Sequence, residues 1–283
     1  MSRWIAKALA QKAISVLPFS EGINHQLQRR LRKSLPMSDA VLAHKVEQAK
    51  AHFAHFTAYA QAPPDKAVFY EFGAGYELVV PLVYCSMGVR RQIVDDYRPH
   101  MRPWLVRDAL MRLGMGDHPA IGKHDLYELY GIAYRAPADA RHTGLADASV
   151  DFISNTDTLE HIPQADLAAI LRECKRVLKP GAVISCDIGP GDHFSYFDKS
   201  IPPYNFLRFG PLAWGIINSP LQYQNRLRPS DYVAAFEAAG YRIVRTRSEG
   251  AAVAPAAQVA PQFKRYPPEE LASTRFVLVA QKL

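Results

Sequence analysis

Two acidic strand ends carry the most plainly written chemistry in this chain. The first is Glu71-Phe72-Gly73-Ala74-Gly75-Tyr76-Glu77. An acid followed by G-x-G lets the backbone turn sharply and approach a ligand, while the following helix offers its N-terminal N–H groups. The third glycine of a dinucleotide fingerprint is replaced by Glu77. A carboxylate there repels a pyrophosphate, so a ligand without phosphates is expected and an NAD(P) site is disfavoured. The second strand end is Val94-Asp95-Asp96-Tyr97. Asp96 follows Glu71 by 25 residues, a spacing that suits an acid accepting hydrogen bonds from ribose hydroxyls, with Asp95 as the alternative register. A turn or helix-cap role for either aspartate is the plain alternative.

These residues need a frame. Trp4, Ile5, Leu9, Ala13, Val16 and Leu17 recur at helical spacing up to Pro18. Ile23, Leu27 and Leu31 mark a second helix, which carries the Arg29–Lys33 cluster. Ser38 suits the N-cap of a third, with Leu42, Val46, Phe53 and Phe56 along it. After Pro64 short apolar runs alternate with helical patterns. Strands are expected at Ala67–Phe72, Gln92–Asp95, Ile132–Ala136, Val150–Ser154 and Ala182–Ile188. Helices are expected at Glu77–Ser86, Met101–Leu113 and Ala165–Leu178. The chain closes with helix Asp231–Ala239 and strands Tyr241–Arg247 and Arg275–Gln281, expected to pair as an antiparallel hairpin on the sheet edge. The fold class is therefore α/β: a doubly wound, Rossmann-like, mostly parallel seven-stranded sheet preceded by a helical extension. The expected division is a basic helical extension over 1–62 and one α/β domain over 63–283, with an aromatic-rich insertion at about 190–230. Gly250–Phe263, rich in Ala, Pro and Val, is expected to bury little and loop out.

The ordered segments resemble the class I S-adenosylmethionine-dependent methyltransferases. They are Asp139-Ala140, Leu145 to Phe152, Thr158-Leu159-Glu160-His161-Ile162, and Leu171-Arg-Glu-Cys-Lys-Arg-Val-Leu-Lys-Pro-Gly181. In order and spacing they are similar to the subgroup that includes quinone-biosynthesis methyltransferases, over roughly residues 65–283. The resemblance implies S-adenosylmethionine as cofactor. It places Gly73, Ala74 and Gly75 under the methionine end and Glu71 near the ammonium. It places Asp96 or Asp95 on the ribose, Asp139 and Ala140 at the adenine, and Thr156 and Asp157 facing the reaction centre. Glu77 and the long stretch Gly114–Tyr130 depart from the family pattern.

In that fold the loop Gly191-Asp-His-Phe-Ser-Tyr-Phe-Asp198 borders the acceptor, because ligands bind beyond the carboxyl ends of the strands. His193 is the first candidate for a general base, with Asp192 to orient it. His161 is expected to shape the turn after the fourth strand and stays a catalytic candidate with Asp157. Aromatic residues between Phe194 and Tyr232, mixed with amides and arginines, suit a carbohydrate or an amphiphile. An insertion with its own small core is the alternative. The ten histidines form no metal set on spacing; His44, His52 and His55 share a helix face that is expected to be solvated. Cys85, Cys174 and Cys186 include no C-x-x-C, which argues against a disulfide framework or thiolate zinc site and suits a reducing cytoplasm.

Charge locates the partner surface. Nine Lys/Arg against three acids in residues 1–50 account for six of the chain's seven net positive charges. The body is nearly neutral, so a nucleic-acid partner is not expected. The basic N-terminus reads as a lid over the cleft or as helices lying on an anionic membrane. No run is long and apolar enough to span a bilayer, and Lys7 and Lys12 interrupt the stretch that a secretory leader would need. The expected activity is methyl transfer to an oxygen of a small molecule, a glycan or a lipid-linked intermediate. A cofactor-binding scaffold without turnover is the non-enzymatic alternative.

Overall fold

A computed structural model describes residues 3–17, 22, 35–250 and 258–283. Helices α1 (Arg3–Ser15) and α2 (Asp39–Tyr59) precede the sheet. Ser38 caps α2 as its residue type predicts, its Oγ accepting from the Val41 amide at 3.3 Å. The helix expected around Ile23, Leu27 and Leu31 lies outside the described residues.

The α/β body follows as β1 (Val68–Phe72), α3 (Val79–Ser86), β2 (Arg91–Asp95), α4 (Pro103–Arg112), α5 (Lys123–Tyr130), β3 (Ile132–Arg135), β4 (Val150–Thr156), α6 (Gln164–Val177) and β5 (Leu178–Ile188). Two short helices, α7 (Phe194–Phe197) and α8 (Pro211–Ile217), lie in the segment after β5. Then come α9 (Pro229–Ala238), β6 (Tyr241–Gly250), α10 (Pro268–Leu271) and β7 (Ser273–Lys282). The seven-stranded sheet runs β3-β2-β1-β4-β5-β7-β6. The first five strands are parallel, and β7 is antiparallel to both β5 and β6. The late strands do pair. The edge strand is β6, however, and β7 is inserted between it and β5.

Parallel strands covered on both faces need apolar residues on both. One core layer joins Phe69, Val94 and Phe152 to Leu42 and Phe56 of α2 and Leu82 and Val83 of α3. The other joins Tyr70, Ile153 and Ile184 to Leu171 and Cys174 of α6 and Phe236 of α9. Alternation along β1 sends Phe69 to one layer and Tyr70 to the other. Helix α2 is thus a layer of the sandwich, with Phe56 edge-on to Phe69 at 4.6 Å.

A third core accounts for the aromatic segment. Trp4 of α1 packs between Phe194 and Phe209, and Phe206 meets Trp214 edge-on. Val259, Ala260 and Phe263 are buried in the same cluster. The stretch ending at Phe263 therefore does bury its last residues, against the expectation from its composition; residues 251–257 are not described.

Candidate active site

The strand order reverses between β1 and β4, each of which hands the chain to a turn at its carboxyl end. A cleft of about 1000 Å³ opens there. At one end it is lined by Gly73, Gly75, Asp95, Asp96, Asp139 and Ala140; at the other by Asp157, His161, His193 and Tyr223. A smaller recess of about 120 Å³ adjoins it, walled by Lys45, Glu71, Ala74, Glu77 and Thr156 and sharing Gly73, Gly75 and Asp157 with the cleft.

The glycines are needed as read. Gly73 and Gly75 take φ of 81° and 78°, values that L side chains rarely adopt. A Cβ on Gly73 would fall 2.4 Å from the Thr158 side chain, whereas one on Gly75 would meet open space. The turn therefore packs on Thr158 beneath and leaves room above. Glu71 is 4% exposed, and its Oε2 has no hydrogen-bond partner. Burial pushes its pKa up to about 8, against the attraction of Lys45. Glu77 is buried in the wall of the recess, beside the turn, where a pyrophosphate would meet its carboxyl group.

The two aspartates separate clearly. Asp95 is consumed by the frame: Arg135 Nε and Nη2 each donate to it at 2.6 Å, and Tyr70 Oη donates at 3.1 Å. Asp96 accepts from Tyr134 Oη at 2.8 Å and from the backbone amides of Ala74 and Gly75, so it faces the glycine turn. Burial raises its pKa to about 7. Asp139 sits on the cleft wall and is held by Arg141, which also reaches Asp166. Ala140 lies beside it on the same wall.

The other end is built from the turn after β4. Asp157 has φ of 49°, a left-handed conformation that aspartate tolerates. The short 3₁₀ turn Leu159–His161 follows and sends Glu160 inward and His161 to the cleft. His161 Nδ1 lies 2.6 Å from the Tyr223 carbonyl. His193 lines the cleft as expected, its ring 4.8 Å from that of His161 and stacked on Tyr196 at 5.3 Å. Burial, then the neighbouring His161, lowers its pKa to about 3, which keeps it neutral but makes it a weak free base. Asp192 does not orient it. Its carboxylate accepts from the Phe194 amide and Asn205 Nδ2, while the His193 amide donates to Gln224 Oε1.

Helix α2 supplies what a residue-by-residue reading missed. Lys45, Gln48 and His52 recur on one face at helical spacing. Lys45 reaches the recess, Gln48 Nε2 donates to Asp157 at 3.4 Å, and His52 lies within hydrogen-bond distance of Ser185 and Thr156. His52 is 1% exposed, so the face expected to be solvated is buried there, and burial takes its pKa down to about 4. Of the aromatic residues between 194 and 232, Tyr223 lines the cleft, whereas Phe194, Phe206, Trp214 and Tyr232 are core.

Residues 126–186 match the family model described as "Methyltransferase domain". The fold is that of the class I methyltransferases. A putative sarcosine dimethylglycine methyltransferase from Galdieria sulphuraria superposes with a TM-score of 0.50 at 16% identity, over 85% of this chain and 86% of that one. Magnesium protoporphyrin IX methyltransferase from Synechocystis PCC 6803, solved with bound S-adenosylhomocysteine, gives 0.50 at 13% identity, over 84% and 83%. No curated protein matches the chain. The seven-stranded α/β body runs from β1 to the β6–β7 pair, and no described helix is long and apolar enough to cross a membrane.

Proposed function

We propose that the chain is an S-adenosylmethionine-dependent methyltransferase that methylates an oxygen of an amphiphilic small-molecule or lipid-linked acceptor. The observation that carries this reading is the cleft's two unlike ends, an acidic glycine turn and a cluster of imidazoles and carboxylates. The first end fits the cofactor. The orphaned Glu71 oxygen suits an ammonium, Lys45 suits the carboxylate on the same carbon, and the space over Gly75 admits a chain. Asp96 is assigned to the ribose hydroxyls, since Asp95 is held by Arg135, and Asp139 and Ala140 to the adenine. When bound, the cofactor supplies an activated methyl group on a sulfonium.

The chain's own residues orient the acceptor in line and exclude water. The acceptor's proton passes to the group formed by Asp157, Glu160, His161 and His193, in which Asp157 is the member exposed to solvent. Asp96→Ala is expected to weaken S-adenosylmethionine roughly 10- to 100-fold, the worth of one hydrogen bond to a charged group, with an unchanged circular dichroism spectrum. Calorimetric titration with S-adenosylmethionine and S-adenosylhomocysteine, with NAD as control, tests it. Equal affinity in the variant removes Asp96 from the site, and NAD binding in place of both sulfur ligands overturns the function.

The amphiphilic acceptor rests on the rim. Val16 and Leu17 follow α1, Leu212 and Ile216 project from α8, and all four are exposed. The two helices touch, with Lys12 Nζ donating to the Gly215 carbonyl, and Gly215 lines the cleft. An exposed apolar rim next to a basic N-terminus suits an anionic membrane surface. The wild type is expected to sediment with phosphatidylglycerol vesicles and a Leu212→Glu/Ile216→Glu variant to stay in the supernatant. Equal partitioning of the two proteins would remove the membrane contact.

A further inference from the structure

We propose that residues 223–228 form a brace that sets His161 and His193 against each other at the acceptor end of the cleft, with Gln224 and Asn225 as its positioning residues. The two histidines come from different turns. His161 stands in the 3₁₀ turn after β4, and His193 in the loop after β5. Their rings nonetheless lie 4.8 Å apart, and both line the cleft.

The brace takes hold of both turns. On the β4 side, His161 Nδ1 lies 2.6 Å from the Tyr223 carbonyl. A carbonyl can only accept, so the proton is fixed on Nδ1 and Nε2 is left as the basic nitrogen. The Asn225 amide donates to the Glu160 carbonyl at 2.9 Å, and Asn225 Nδ2 donates to the carbonyls of Leu159 and Ile162 at 2.8 and 3.0 Å. On the β5 side, Gln224 Oε1 accepts from the His193 amide at 3.1 Å, and Gln224 Nε2 donates to the Gly191 carbonyl at 3.0 Å. Arg228 Nη2 donates to the Pro190 carbonyl at 2.5 Å. Two adjacent amide side chains thus bond to the backbones of two separate turns.

The brace is itself anchored. Arg226 has φ of 65°, a left-handed conformation that residues with a Cβ rarely adopt. Its Nη1 donates to the Phe206 and Phe209 carbonyls at 3.1 and 2.6 Å, and its guanidinium lies 5.0 Å from the Trp214 ring and 4.9 Å from that of Phe263. The third core therefore over-determines the strained residue, the condition under which such strain persists at functional sites. Asn218 supports Gln224 from behind: its Oδ1 accepts from the Gln224 amide and its Nδ2 donates to the Gln224 carbonyl, both at 3.0 Å. A segment that only covered a core would be apolar, whereas here Gln224 and Arg228 are buried.

The brace lies beyond residues 126–186, which the family model matches, and Leu221, Gln222 and Tyr223 at its start line the cleft. One piece of chain therefore sets both the imidazole pair and the wall beside it. What the pair does there, taking the acceptor's proton, rests on the methyl-transfer reading; the brace itself rests on the bonds to the two turns. Burial, then His161, the Gly189 backbone and Lys7, act on the His193 ring; burial, the Tyr223 carbonyl and Asp157 act on that of His161. Uncharged substitutions in the brace alter none of these charges, so a changed titration reports a changed position.

The test is NMR of the histidine rings in full-length wild type, Gln224→Met and Asn225→Ser, with signals assigned through His161→Gln and His193→Gln. Methionine keeps the size of Gln224 and removes both side-chain bonds; serine is too short to reach the Leu159 and Ile162 carbonyls. In the wild type His161 is expected as the Nδ1–H tautomer, with a nuclear Overhauser contact between the two rings and His193 unprotonated down to about pH 5. Each variant is expected to lose the ring contact and to raise the His193 midpoint by about one pH unit or more as the ring leaves its burial. Circular dichroism and S-adenosylmethionine affinity stay unchanged. Asn225→Ser is the sharper arm, since its lost bonds lie on the His161 side and its effect is read on His193. A lowered melting temperature with the ring contact and titration unmoved assigns the segment to packing and overturns the brace. A wild type without the tautomer or the ring contact overturns it too, with no variant required to fold. S-adenosylmethionine binding without the ring response refutes this inference alone; the ring response without S-adenosylmethionine binding refutes the methyltransferase reading instead.

Discussion

Glu71→Gln is expected to weaken S-adenosylmethionine roughly 30- to 5000-fold, the range for removing one member of a buried charge pair, while making the cofactor-free protein more stable in alkali. Both effects come from one carboxylate that is 4% exposed with an orphaned oxygen. Burial raises its pKa from 4.5 to about 8. A carboxyl group whose folded pKa is raised binds its proton more tightly in the folded state. Its stabilising contribution is complete below the ordinary carboxylate range and is lost as pH rises through about 8. The apo wild type and the variant are therefore expected to melt together near pH 5 and to separate toward pH 9, the variant higher. An ammonium reverses the balance by favouring the ionised form, so wild-type cofactor affinity rises with pH up to about 8, by at most tenfold per unit, and binding releases protons. Melting curves across that range and calorimetry in buffers of different ionisation enthalpy measure both. Equal affinities would remove Glu71 from the cofactor, and parallel melting curves would remove its buried titration.

Arg135→Ala is expected to destabilise the fold by about 3 kcal/mol, the lower part of the range for breaking a buried ion pair because Arg135 is itself about a third exposed. Asp95, at 1% exposure, would keep only the Tyr70 hydroxyl among its side-chain hydrogen bonds. The melting temperature should fall by roughly 10 °C. Arg135→Ala/Asp95→Asn should recover much of the loss, since the amide removes the stranded charge. A double variant as unstable as the single one would assign the loss to packing of the arginine stem. Lysine at 135 should rescue partially, because it cannot make both 2.6 Å bonds at once.

The glycine-turn end of the cleft was legible in the sequence because its geometry is local. Gly73 and Gly75 are required by a turn that a single strand end dictates, and Asp96 stands one residue beyond the strand that delivers it. The register question between Asp95 and Asp96 was not legible, because it turns on Arg135 from a neighbouring strand. Helix α2 was legible as a helix but not as a wall of the site. Which of its faces meets Asp157 and Ser185 is decided by how Phe56 seats on Phe69 and Phe152. Glu160 was visible in the sequence as part of a family segment. Its burial follows from the positive φ of Asp157 and the 3₁₀ turn after it, neither of which composition announces. The aromatic segment misled in the other direction. Aromatic rings mixed with arginines suit ligands and cores alike, and here Trp4 from the distant N-terminus joins Phe194 and Phe209.

The place of β7 bears on the order in which this molecule can be made. During synthesis, β1 to β5 can assemble as a parallel sheet as soon as Ile188 has emerged, but the free side of β5 has no partner until residues 273–282 arrive. Strand β6 is made earlier and in the sheet touches only β7. The nascent chain must therefore hold an open, apolar strand edge while everything from the segment after β5 through β6 is translated. Such an edge is where chains pair with one another instead of with themselves. A ribosome stall or truncation between Gly250 and Ser273 would leave the whole glycine-turn end of the cleft written but the sheet unsealed. A chaperone that shields strand edges would matter most to this protein in that interval.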